Sequence, residues 1–243
     1  MTESTAPAAV APKTSFWEDV FDIFVSPAAV FRRRQNSSIW PPMLFVAISI
    51  GIIFFATFNT LEPAFSAEFA RNTAKALAKN PQAAQNAEAM QKMQGFATAA
   101  IKYGAAPGAI ITMFLLGSIA WLVGKIFGSK QTYNAGLVVA AWSYMPRVIG
   151  ALLGGVQGLL MDPETLKGPM SISIGPARFL DPDTSNPFLF QMMGRLDLIT
   201  IWVTILLAIG LYVTGKVSKG SAAAFGVAIW LVGSLPALRA ALM

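Results

Sequence analysis

Hydrophobic positions in this chain gather into long runs, at about 41–58, 106–127, 136–161, 196–214 and 221–242. Each is near or above the roughly 18–20 apolar residues a helix needs to cross ~30 Å of hydrocarbon. The pattern therefore predicts an all-α fold, a polytopic helical membrane bundle with five transmembrane helices. The links at 128–134 and 216–220 are short and polar, so the helices they join must be antiparallel neighbours.

The polar stretches predict the rest of the architecture. Residues 1–15, rich in Ala, Pro, Thr and Ser, read as a disordered tail. They lack the basic start and adjoining apolar core of a signal peptide. Residues 16–40 read as an amphipathic interfacial segment: Phe16, Val20, Ile23 and Phe24 recur at helical spacing, with Trp17 and Phe21 beside them, while Glu18, Asp19 and Asp22 face away. Ser26 and Pro27 fit the cap and first position of a second short helix ending in Arg32, Arg33 and Arg34. Trp17, Phe24 and the three arginines are candidate cytoplasmic docking residues. Residues 41–243 form the membrane domain. Within it, 59–104 is Ala-, Gln- and Lys-rich, is divided by Pro81, and reads as a helical hairpin outside the membrane. The connector 162–187 is rich in Pro, Gly and Asp; Met170 to Ile174 alternates, as a short strand or an extended stretch would.

Composition sharpens this picture. The chain is 55% hydrophobic and 12% charged, against about 45–50% and about 25% for soluble domains. Its net charge of +6 is explained by orientation and anionic head groups rather than by nucleic acid. The arginine triplet before the first span and the lysines of the two short links predict a cytoplasmic amino terminus. There is neither Cys nor His, which excludes disulfides, Ser-His and Cys-His catalysis, and metal sites built on those ligands. No phosphate loop or calcium-loop spacing is present. Catalytic residues, cofactors and metals are expected to be none. The implied partners are membrane lipids, other membrane proteins or further copies of the chain.

One constellation carries chemistry. Ser143-Tyr144-Met145-Pro146-Arg147 interrupts the third hydrophobic run. Arginine within a span is costly and faces protein or water. The acid expected to answer it is Asp197 in the fourth run, with Arg195 or Tyr144 as further partners. Pro146 removes a backbone donor and opens the helix there, so Tyr144, Pro146, Arg147 and Asp197 form the candidate intramembrane polar site. Gly150, Gly154 and Gly158 recur at intervals of four and predict a face for close helix contact.

Several stretches share an order with a known family. They are Phe24-Val25-Ser26-Pro27-Ala28-Ala29-Val30-Phe31 before the basic cluster, Phe127-Gly128-Ser129-Lys130-Gln131-Thr132-Tyr133, Trp142-Ser143-Tyr144-Met145-Pro146, and Leu196-Asp197-Leu198-Ile199-Thr200-Ile201-Trp202. The chain resembles the Yip family, the Rab-interacting five-span membrane proteins, in its bacterial branch. The resemblance implies five spans, a cytoplasmic amino-terminal segment and no established enzymatic chemistry. It is a resemblance to an organiser of proteins or lipids in a bacterial inner membrane. The Rab role of eukaryotic relatives does not carry over to bacteria. The rival expectation is a small transporter or lipid-handling subunit with a polar cavity near Pro146.

Overall fold

The computed structural model describes residues 14–79 and 87–241; residues 1–13 of the expected tail and the turn around Pro81 fall outside them. Ten α-helices and three single 3₁₀ turns account for the regular structure of the described residues, which contain no strand. Met170 to Ile174 belongs to this pattern, since Pro169–Ile172 is one of the 3₁₀ turns.

The chain opens with α1 (Phe16–Val25) and α2 (Pro27–Arg34). Ser15 caps α1 through a reciprocal capping box with Glu18, and Pro27 at the first position of α2 needs no amide partner. The two helices fold back on each other and pack into the bundle. Ile23, Val30 and Phe31 are fully buried in one core with Met43, Trp142, Val203 and Leu206.

Next come α3 (Trp40–Lys79) and α4 (Ala87–Ile126), each of 40 residues. Over its described residues, the stretch expected as a helical hairpin outside the membrane is the continuation of these two helices. Phe58, Phe65 and Phe69 of α3 face Gln94, Ala97 and Ile101 of α4 across it.

The third hydrophobic run is two helices, α5 (Tyr133–Ser143) and α6 (Pro146–Leu160). Pro146 has no N–H, and its ring excludes the carbonyl four residues earlier. The ladder therefore tightens, with Met145 donating to Trp142 and Arg147 to Tyr144. The glycines of α6 do not share one partner. An added Cβ would meet Thr57 at 2.7 Å from Gly155 and Leu61 at 2.5 Å from Gly158, both on α3, whereas Gly150 faces Ile199 and Gly154 faces Ile172.

After the connector come α7 (Pro187–Arg195), α8 (Leu198–Gly215), α9 (Lys219–Val232) and α10 (Leu235–Ala241). Four segments are long and apolar enough to cross a membrane: Trp40–Lys79, Glu88–Ile126, Tyr133–Leu160 and Leu198–Gly215. The expected fifth is interrupted. α9 has 14 residues, and Pro236 within α10 cannot continue its ladder across Gly233 and Ser234.

The basic links converge at one end. The amide of Lys130 donates to the carbonyl of Gly215, and Asn134 at the start of α5 donates to Ser37, just after the arginine triplet. This basic end holds Lys130, Lys216 and Lys219. The breaks α5/α6, α7/α8 and α9/α10 meet at a second level. By helix rise it lies about 20 Å from the basic end.

Candidate functional site

Three features of the bundle bear on function. The first is the α1–α2 hairpin. Asp19 is fully buried, and its two carboxylate oxygens are taken by Arg33 and Arg34. Asp22 also accepts from Arg33, at 2.6 Å. A buried carboxylate demands such partners, and here they tie the two helices together across their turn. Arg34 additionally donates to the carbonyl of Thr14, at 3.1 Å. Near the turn, the Phe24 ring lies 5.4 Å from that of Trp202. At the other end of α1, Phe16 meets Trp142 and Phe45.

Of the candidate docking residues, Phe24 is therefore an internal contact, and Arg33 and Arg34 are ion-paired. Trp17 is largely exposed, although its edge touches Phe45. Arg32 is exposed and makes no hydrogen bond or ion pair among the described residues.

The second feature is a groove of about 990 Å³ walled by α2, α8 and α9. Its long middle is apolar: Ile201, Ile205, Ala208, Ala223 and Val227 line it. Its cationic residues are Arg32 and Lys219. Sequence reasoning missed this groove, because it exists only once α2 stands beside α8. The one signal available was the Ala-Ala-Ala-Phe-Gly stretch at 222–226, which leaves α9 thin on that side.

The third feature is the level where the helix breaks meet. Arg147 lies there, 5.8 Å from the Tyr144 ring centre, and donates to the hydroxyl of Thr200 at 3.0 Å. It makes no ion pair with Asp197. Asp197 is the cap of α8: one oxygen accepts from the amides of Ile199 and Thr200, the other from Ile174 at 2.8 Å. The carboxylate is occupied by backbone amides, which fasten the connector to α8. Thr200 links the two groups, with its hydroxyl toward Arg147 and its amide toward Asp197.

The nearby cation is Arg195, whose carbonyl accepts from the Trp230 indole at 3.0 Å. Its guanidinium makes only a long bond of 3.5 Å to the Trp230 carbonyl. Burial first, and then the charge of Arg147, push the pKa of Arg195 below its ordinary value. The Nε of each arginine is buried without a partner. Tyr144, Arg147, Thr200 and Asp197 thus form one polar cluster. Pro146 is buried and creates the break, but lines neither the groove nor the two smaller pockets. Among the described residues no group of acids is placed to hold a metal ion.

Against known proteins, the Yip1 domain matches residues 21–239. The membrane protein YknW of Bacillus subtilis (strain 168) is 28% identical over 202 residues, covering 82% of this chain and 80% of that protein. No solved structure matches. The matched region runs from the second half of α1 into α10 and includes α2, the groove and the polar cluster, while Phe16 and Asp19 lie before it. This multi-pass membrane protein belongs to the Yip1 domain family.

Proposed function

We propose that this is a non-enzymatic, five-span protein of a bacterial inner membrane that organises lipids or partner proteins. The observation that carries the reading is the groove, an apolar recess held open by a hairpin that is pinned through buried ion pairs. Such a recess offers a membrane component a place to sit, with no acid–base or nucleophilic pair beside it. The amino terminus is assigned to the cytoplasm because Arg32, Lys130, Lys216 and Lys219 share one end. α9 with α10 supplies the fifth crossing, and the far halves of α3 and α4 stand outside the hydrocarbon.

Photo-crosslinking in native membranes tests this. A photoreactive side chain at Ala223 in the groove is expected to give one discrete lipid or protein adduct, whereas exposed Leu115 on α4 faces bulk lipid and its adducts should follow the lipid composition of the membrane. The same adduct spectrum at the two positions would overturn the proposal. The absence of native Cys makes the topology accessible to single-cysteine labelling. Lys219→Cys should react only from the cytoplasmic side and Thr184→Cys only from the outside.

A second reading, a small transporter or lipid-handling subunit, draws on the unanswered charges of Arg147 and Arg195. Substrate-dependent stabilisation of the isolated protein, lost in Arg147→Met, would favour it.

A further inference from the structure

We propose that the groove binds one anionic phospholipid of the leaflet at the basic end, with its phosphate between Arg32 and Lys219 and an acyl chain along Ile205, Ala208, Ala223 and Val227. The inference rests on reading the groove as the place where the protein meets a membrane component, and it names that component.

Polarity along the groove makes the argument. The turn of the hairpin, at Ser26, stands near the Trp202 end of α8, as the Phe24–Trp202 contact shows. α2 then runs back toward the basic end, where Ser37 meets Asn134. Arg32 is therefore displaced toward Tyr212, and Lys219 begins α9 at the same end. α8 and α9 run antiparallel, with Gly226 against Ala208 and Thr204, which sets Lys219 opposite residues 211–215 and Trp230 opposite residues 200–204. Arg32 and Lys219 are exposed, and neither makes an ion pair or side-chain hydrogen bond among the described residues. The Tyr212 hydroxyl beside them is likewise unbonded. From there to Trp230 the recess is apolar but for Thr204, whose hydroxyl is spent on the Thr200 carbonyl.

A cationic mouth leading into an apolar slot matches an anionic amphiphile in both charge and length. From Lys219 to Trp230 is about 16 Å of helix, close to the ~15 Å of hydrocarbon in one leaflet. A second copy of this chain fits less well. Two copies inserted in the same direction and facing through this groove would bring their Arg32 and Lys219 groups together, with no acid at the mouth to answer them.

The test uses the full chain reconstituted in nanodiscs of phosphatidylglycerol and phosphatidylcholine, with co-purifying lipid read by native mass spectrometry. Wild type is expected to retain phosphatidylglycerol over phosphatidylcholine by about tenfold, since each basic residue near an anionic head group contributes severalfold. Arg32→Gln with Lys219→Gln should bring that ratio close to one. Both side chains are exposed and unpaired, so folding should be unaffected. Lys130→Gln with Lys216→Gln removes the same charge at the same end and should leave the preference intact. Ala223→Trp should displace the retained lipid altogether. Equal retention of both lipids by wild type would overturn the proposal, as would an undiminished preference in the Arg32/Lys219 variant, equal loss in the Lys130/Lys216 control, or lipid still held by Ala223→Trp. A protein adduct rather than a lipid adduct at Ala223 would overturn the lipid assignment while leaving the organising role standing. Absence of any groove adduct would remove both.

Discussion

Asp19 and Asp22 face Arg33 and Arg34 inside the α1–α2 hairpin, whereas Arg147 and Arg195 meet at the helix breaks with no carboxylate among the described residues bonded to either. Both groups lie within an apolar bundle, and they solve the cost of burying charge differently. In the hairpin, opposite charges cancel, and the geometry of the pairs fixes how two short helices lie against each other. At the breaks, the one acid at hand is committed to amides of the backbone. The arginines there rest on a hydroxyl, an aromatic face and a carbonyl. A balanced cluster resists the loss of a member; an unbalanced one should tolerate it, because a repulsion disappears with the charge.

The widest separation between the two clusters should come from Arg33→Gln combined with Arg34→Gln. This change leaves the fully buried Asp19 without a counter-charge. Breaking a buried pair in this way costs about 3–5 kcal/mol. Unfolding in mild detergent should show the loss, together with protease cleavage appearing near Ser26. Asp19→Asn should be milder, because the arginine side chains are 30% and 26% exposed and can turn to water. If the double arginine change costs less than Asp19→Asn, the hairpin is not held by these pairs.

A smaller effect is expected from Asp197→Ala, which removes the cap of α8 and the bond that fastens Ile174. Loss of a capping side chain costs about 0.5–2 kcal/mol. Asp197→Asn keeps the oxygen that caps α8 but turns an amide nitrogen toward the Ile174 N–H, so it should lose the connector bond and fall between wild type and Asp197→Ala. An ion pair with Arg147 would give a different ranking: Asp197→Asn would cost as much as Asp197→Ala, and Arg147→Gln would restore much of it. Stability measurements on the three variants decide between a cap and a pair.

Much of this layout was legible in the sequence. Long apolar runs, basic links and Pro146 were enough to place four membrane-length segments, their basic end and the break at Tyr144–Met145. What escaped was tertiary. Trp17, Phe21, Glu18, Asp19 and Asp22 have the spacing of a surface helix, and nothing local distinguishes an acid facing water from Asp19 facing two arginines fourteen and fifteen residues away. Asp197 shows the same limit, since a lone acid near a lone arginine suggests a pair. The helix start at Leu198 gives that acid nearer partners in the amides of Ile199 and Thr200. The glycines of α6 divide among three partners because α3, α8 and the connector approach from different sides. The groove was invisible for the same reason, since two of its walls are distant in sequence.

The smallest shift, and the sharpest contrast with the hairpin, is expected at the breaks. Arg147→Met forfeits the bond to Thr200, worth about 0.5–1.5 kcal/mol, but relieves the charge that presses on Arg195. The two effects oppose, so the net change should stay within about 1 kcal/mol of wild type. Arg195→Met should behave alike, since its guanidinium makes only the long bond to Trp230. The double variant isolates the repulsion. Once either arginine is gone, removing the other brings no further relief, so the double change should be more destabilising than the sum of the singles. A cycle of the opposite sign, with each single change costing as much as the loss of Arg33 and Arg34, would mean that the arginines share a bound anion. The cluster at the breaks would then be balanced after all, by a ligand instead of a side chain.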